Sequence, residues 1–172
     1  MIDALIYYHQ QLIPAAICEP ILSASISALS LQQELPLTAT LHYLRDFLSY
    51  GTDHPNSSSF GGPNRDQHTY NLSNTQSIVH DLVAAQGEAL VQRILTGMMF
   101  TFPRDCFQDA SGVLLALFEV EPDKAATWVK NTIAMLPPGS VKAGDGDRLM
   151  NAIDHKIRMR DMRKVRVLLQ GW

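Results

Sequence analysis

Apolar residues at helical spacing, interrupted by prolines, are the feature that most constrains this fold. They recur every three or four positions through nearly the whole chain, and no convincing alternation marks a β-strand. The clearest stretch runs from Glu88 to Phe102. One stripe of that stretch comprises Leu90, Val91, Ile94, Leu95, Met98, Met99 and Phe102. Pro103 cannot continue a helix and ends this one, so the sequence predicts an all-α fold.

The remaining periodic stretches predict a succession of short helices. Several begin with a proline in the first turn, where the missing N–H costs nothing. The stretches cover about Met1–Leu12, Pro20–Leu29, a helix opened by Pro36, Asp105–Val120, Pro122–Leu136, Asp145–Arg158 and Asp161–Gln170. Short antiparallel helices joined by tight turns build α-solenoids, because each pair buries only part of its apolar face and leaves the rest for its neighbours.

The spacing of the predicted helix starts supports such a repeat. Glu88 and Pro122 lie 34 residues apart, and Arg104 and Asp145 lie 41 apart, close to the ~40–47 residues of HEAT and armadillo units. We therefore predict one α-solenoid of about three to four antiparallel helix pairs over residues 1–172. A compact helical bundle is the structural alternative.

One interruption, Thr52–Thr75, is rich in Ser, Asn, Gly and Pro, and we predict a mobile loop over residues 52–75. Its histidines, His54 and His68, and the nearby His80 lack the regular spacing of metal ligands. No metal site and no cofactor are predicted.

Composition excludes several classes of protein. With 172 residues, 46% of them apolar, the chain can bury a core, so disorder throughout is excluded. No apolar run approaches the ~20 residues of a membrane helix. The net charge of -3 divides unevenly, because residues 142–172 hold 8 Lys+Arg against 4 Asp+Glu. Cys18 and Cys106 each lie in an apolar or helical stretch and are predicted to be buried thiols.

Four collinear blocks carry a family resemblance. They are "PLTATLHYLRDFLSYGTD", "GEALVQRILTGMMFTFPRDCFQDASGVLLALFE", "WVKNTIAMLPPGSV" and "DMRKVRVLLQ". Together they resemble the carboxyl-terminal HEAT repeats of a fungal importin-β-type nuclear import receptor, or karyopherin. Within that family they are most similar to the transportin-SR branch, which includes the yeast messenger-RNA transport regulator.

The resemblance implies a superhelical, non-enzymatic scaffold that shuttles between nucleus and cytoplasm. Its implied partners are RNA-binding cargo proteins with Arg/Ser-rich or Arg/Gly-rich segments, the GTPase Ran, and nucleoporins; no direct nucleic-acid or membrane contact is expected. Receptors of this family are several times longer, and their principal Ran-binding surface lies in amino-terminal repeats. The alternatives are a generic helical-repeat adaptor unrelated to transport, or a truncated, non-functional gene product.

His42, Arg45, Asp46 and Ser49 form the one constellation that suggests an enzyme. On a helix they share one face, opposite a row of leucines, and Asp46 lies one turn beyond His42, where the two can pair. Catalysis needs a pocket and an oriented partner, which one exposed helix face does not supply. We therefore predict a polar surface or a contact between helices, and no catalytic residue.

The candidate partner-binding residues lie towards the end of the chain. They are the basic residues Arg158, Arg160, Arg163, Lys164 and Arg166, together with Trp128. The resemblance places the basic set in the terminal repeats, where it suits acidic partners, Ran included, better than Arg-rich cargo, because like charges repel. Trp128 lies off the stripe of its own helix, so packing between pairs and contact with a partner are both open.

Overall fold

A computed structural model of the chain describes residues 15–31, 33–52, 65–142 and 144–158. These residues contain six α-helices and no strand. The helices are α1 (Ala15–Ala28), α2 (Glu34–Ser49), α3 (Arg65–Phe100), α4 (Phe107–Val120), α5 (Pro122–Met135) and α6 (Asp145–Arg158). A short 3₁₀ helix, Arg104–Cys106, precedes α4. The predicted all-α class is confirmed.

The helices pack in two layers, which is the arrangement of an α-solenoid. In one layer α3 lies between α1 and α5, and in the other α2 packs against α4. Contacts between α1 and α2, α3 and α4, and α5 and α6 join the layers, and they define three pairs within the described residues. This architecture agrees with the predicted stack of helix pairs.

The apolar core runs between the two layers along the whole stack. The leucines of α2 that the sequence placed opposite His42 are fully buried; they are Leu37, Leu41, Leu44 and Leu48. Helix α4 has neighbours on several sides, and nine of its residues from Ala110 to Val120 are buried. Among residues 16–28 of α1, only Cys18, Leu22 and Ile26 are buried. Burial therefore increases from the first pair to the middle one.

The long α3 begins earlier than the sequence predicted. Residues 65–75 are helical, although they fall in the predicted loop at 52–75, and Glu88 lies inside the helix rather than at its start. The segment from Arg65 to Gln86 contains neither Gly nor Pro, so its polar composition does not prevent helix formation. The 34-residue spacing from Glu88 to Pro122 therefore does not join equivalent helix starts. Residues 53–64 lie outside the described residues.

Two other boundaries depart from the prediction. Pro20 lies inside α1 rather than in its first turn, because the helix already begins at Ala15. Helix α2 begins at Glu34, two residues before Pro36, so the proline lies in the first turn as predicted although it does not begin the helix. By contrast, α5 begins at Pro122 as predicted. The predicted helices at 1–12 and 161–170 lie outside the described residues.

Candidate partner-binding surface

The polar face of α2 forms a contact between helices. His42 Nε2 lies 3.0 Å from a carboxylate oxygen of Asp109 on α4. Asp46 instead accepts two hydrogen bonds from the neighbouring Arg45 guanidinium, at 3.0 and 3.1 Å. The expected His42–Asp46 pair is therefore wrong, because α4 brings a closer carboxylate to the imidazole. His42 thus links the second helices of two successive pairs.

A second histidine and carboxylate meet at the turn between α4 and α5. His80 Nδ1 on α3 lies 3.1 Å from Oε1 of Glu121, and the Lys124 ammonium lies 3.4 Å from the same oxygen. Partial burial alone would raise the pKa of the Glu121 carboxyl, but the hydrogen bonds from His80 and Lys124 outweigh it and lower that pKa. The group connects α3 with the start of the third pair. Sequence patterns do not reveal this contact, because His80 and Glu121 lie 41 positions apart.

Trp128 packs against a glycine of α3. Its side chain is only 8% exposed, and a Cβ built on Gly87 would lie 2.4 Å from Cζ3 of the indole. The ring thus occupies the space that any side chain at position 87 would need. Of the two roles that the sequence left open for Trp128, packing between pairs is the one seen here. Contact with a partner stays a prediction.

The residues on either side of Gly87 hold the first layer together. The Ser23 hydroxyl of α1 donates to Gln86 Oε1 at 3.0 Å, and the Asn131 amide of α5 donates to Glu88 Oε1 at 3.4 Å. Three consecutive residues of α3 therefore contact the helix before it and the helix after it. This segment therefore lies where α3 meets both α1 and α5.

The methionine and phenylalanine cluster at the end of α3 is divided between core and surface. Phe102 is buried, with its ring over Gly97, where an added Cβ would lie 2.3 Å from Cε1. Phe100 is exposed, and Met98 and Met99 are partly buried. The cluster forms part of the turn between α3 and α4.

The basic candidate set lies almost wholly beyond the structure. Arg160, Arg163, Lys164 and Arg166 follow the last described residue, and Arg158 ends α6. Their role in binding a partner therefore stays a prediction.

The described part of the chain holds no candidate metal site. It contains no group of three or more His, Cys, Asp or Glu side chains able to hold a metal ion. Cys18 and Cys106 are both buried and unpaired with each other, as predicted. Burial raises the pKa of the Cys18 thiol, which favours its protonated form. None of the described helices combines the length and apolar character that a bilayer crossing requires.

Comparison with known proteins identifies the family. The profile of the importin 13 repeat matches residues 29–125, which is more than half of the chain and covers α2 through the start of α5. The chain therefore belongs to the importin 13 repeat family, whose members are non-enzymatic helical scaffolds.

A curated relative from the fission yeast Schizosaccharomyces pombe, described as an uncharacterized protein, is 27% identical to this chain. The alignment runs over 181 positions and covers 100% of this chain but 18% of the relative. This chain thus corresponds to less than a fifth of that protein's length.

Proposed function

We propose that this chain is a protein-binding segment of a nuclear import receptor, belonging to the carboxyl-terminal repeats of the transportin-SR and messenger-RNA transport regulator branch. The observation that carries the proposal is the importin 13 repeat match over residues 29–125, on helices stacked in two layers. Stacked helix pairs present long surfaces for protein partners rather than a pocket for a small substrate. The specific branch rests on the four collinear sequence blocks.

The proposed cargo consists of RNA-binding proteins with Arg/Ser-rich or Arg/Gly-rich segments, and the proposed transport partners are Ran and nucleoporins. In this role the protein shuttles between nucleus and cytoplasm. The basic set at residues 158–166 suits an acidic surface, so we assign it to Ran or another acidic partner and not to Arg-rich cargo.

Purified components test the proposal directly. The 172-residue chain is immobilised and exposed separately to Ran loaded with GTP, Ran loaded with GDP, a purified Arg/Ser-rich RNA-binding protein and a Phe-Gly nucleoporin segment. We expect the GTP form of Ran to be retained more than the GDP form, with retention that falls as salt increases. If the chain retained none of these four proteins, the transport assignment would be contradicted.

A pair of charge reversals tests the role of the basic set. Arg163→Glu with Lys164→Glu should weaken retention of Ran by tenfold or more without weakening that of Arg-rich cargo. The control, Lys130→Glu, reverses one exposed charge on α5 and should leave retention of Ran and of the Arg-rich cargo unchanged. Equal losses in the double variant and the control would argue against a specific basic site.

A further inference from the structure

Both ion pairs that join one helix pair to the next in the described part of the chain use a histidine. His42 Nε2 on α2 lies 3.0 Å from Oδ1 of Asp109 on α4 and links the first pair to the second. His80 Nδ1 on α3 lies 3.1 Å from Oε1 of Glu121, the residue just before α5, and links the second pair to the third. The other ion pairs among these residues join side chains no more than three positions apart. Each joint between successive pairs therefore contains one histidine–carboxylate bridge.

The strength of such a bridge depends on pH near neutrality. An unperturbed histidine side chain titrates at about pH 6.5, whereas Asp and Glu carboxylates are ionised well below that pH. A neutral imidazole donates one N–H hydrogen bond to the carboxylate that faces it. A protonated imidazole donates the same hydrogen bond and adds its charge, and charge-assisted hydrogen bonds are roughly twice as strong as neutral ones. Acidification from about pH 8 to pH 6 should therefore strengthen both bridges.

Both imidazoles are open to solvent protons, while their carboxylates are more sheltered. The side chains of His42 and His80 are 48% and 35% exposed, against 21% for Asp109 and 22% for Glu121. The histidines can therefore change charge without unfolding of the chain. Partial burial of the carboxylates lowers the local dielectric constant, which strengthens their attraction for a charged imidazole.

The charge that faces His42 comes mainly from Asp109. On the same helix, Arg45 and Asp46 pair with each other. The remaining charged residues of α1, α2, α4 and the 3₁₀ helix are exposed; they are Glu19, Glu34, Arg104, Asp105 and Glu119. Protonation of His42 is therefore answered chiefly by the Asp109 carboxylate.

His80 meets a cation as well as a carboxylate. The Lys124 ammonium lies 3.4 Å from the same Glu121 oxygen, so a protonated His80 shares that carboxylate with a second positive charge. The other charged residues on the described parts of α3 and on α5 whose side chains are described are exposed; they are Asp81, Glu88, Arg93, Asp123 and Lys130. We expect the joint at His80 to respond to protons less than the joint at His42.

We propose that the joints between successive helix pairs are proton-sensitive, and that protonation of His42 and His80 tightens the packing of one pair on the next. Each pair of a solenoid contacts only its neighbours, so the flexibility of the stack depends on its joints. The stack is therefore stiffer near pH 6 than near pH 8. The larger change occurs where α2 meets α4.

Glutamine substitutions in the 172-residue chain test the proposal. His42→Gln and His80→Gln keep an N–H donor at each position but stay uncharged at every pH. Urea denaturation gives the equilibrium constant of unfolding near pH 6 and near pH 8. We expect His42→Gln to raise that constant about threefold more at pH 6 than at pH 8, and His80→Gln to show a smaller difference. Effects of both variants that do not change with pH would overturn the proposal.

Two further variants assign the effect to the bridge. His155→Gln removes an exposed histidine of α6 that forms no ion pair with the described residues, and its effect should be the same at both pH values. In an Asp109→Asn background, His42→Gln should likewise lose its pH dependence, because the facing charge is gone. A pH-dependent effect of His42→Gln that survives Asp109→Asn would contradict the proposed bridge.

Hydrogen exchange places the change at the joints. Exchange rates are compared for peptides from residues 34–49 and 145–158, after correction for the chemical effect of pH on amide exchange. Helix α6 takes part in neither bridge, so we expect acidification to slow α2 at least twofold more than α6, and His42→Gln to remove that difference. Equal slowing of the two helices would contradict the proposal, because protonation would then stabilise the whole fold and not the joint.

Discussion

At the scale of single residues, Gly87 shows how a missing side chain fixes the alignment of two helices. An alanine there would bring its Cβ to 2.4 Å from the Trp128 ring. In an open helix interior Gly→Ala stabilises by roughly 0.5–1 kcal/mol. At position 87 the overlap between the added methyl group and the Trp128 ring makes the substitution destabilising. Overpacking costs about 1–3 kcal/mol, and the large indole is enclosed.

We therefore predict that Gly87→Ala lowers the free energy of unfolding by about 1–2 kcal/mol, measured by urea denaturation. Adding Trp128→Leu should be less harmful in that variant than in the original chain, because the smaller side chain leaves room for the methyl group. Ala85→Ser, at an exposed position of the same helix, serves as the control and should change stability by about 0.5 kcal/mol. A more stable Gly87→Ala protein would contradict the proposed contact.

The Glu121 carboxyl gives a prediction of pH dependence. The pKa of this carboxyl is lowered in the folded protein. Its contribution to the free energy of unfolding is therefore present above the unfolded pKa of about 4.3 and is lost as pH falls through the folded pKa. Glu121→Gln should lower stability at pH 7 by up to about 1 kcal/mol, and the difference between the two proteins should shrink below about pH 4. Urea midpoints between pH 3 and 7 measure it.

Asp81→Asn provides the comparison for Glu121→Gln. It removes one negative charge from an exposed side chain beside His80, without removing the Glu121 contacts. We expect a smaller effect at pH 7. Identical effects of the two substitutions would show that net charge, rather than the His80–Glu121–Lys124 contact, causes the loss.

At the scale of elements, α2 has two chemically similar leucines in opposite surroundings. Leu44 is fully buried between the layers, whereas Leu35 is 83% exposed. Leu44→Ala should cost about 2–5 kcal/mol, because it removes buried methyl groups and leaves a cavity. Leu35→Ala should stay within about 0.5 kcal/mol. Urea denaturation of both variants checks the assignment, and a large loss at Leu35 would mean that another element covers it.

The elements also show where sequence reasoning succeeded and where it failed. The start of α5 at Pro122 and the span of α6 from Asp145 to Arg158 were predictable, since proline and glycine signals lie beside clear apolar spacing. The start of α3 was not, because the polar segment after Arg65 carries neither a breaker nor a strong apolar stripe before Ile78. Its helical state depends on continuity with Val79, Leu82 and Val83, which are buried against the neighbouring helices.

At the scale of the whole molecule, each pair in a solenoid is stabilised mainly by the pairs beside it. The middle pair of the described stack has neighbours on both sides, and α4 is accordingly the most enclosed helix. We predict that its amides exchange with deuterium more slowly than those of α1 by at least tenfold. Mass spectrometry of peptides from residues 15–28 and 107–120 measures both rates, and equal rates would indicate a uniformly cooperative bundle instead.

Sequence by itself determined the helical class, the leucine face of α2 and the resemblance to import receptors, because apolar periodicity and collinear blocks are local in the chain. Only the tertiary structure decided that His42 meets Asp109, that His80 meets Glu121 and that Trp128 fits over Gly87. The two residues of the first contact lie 67 positions apart in the chain, and those of each of the other two contacts lie 41 positions apart. The physical reason is that such contacts depend on the rotation and stacking of the helices. These are determined jointly by the interior packing of all neighbouring helix pairs.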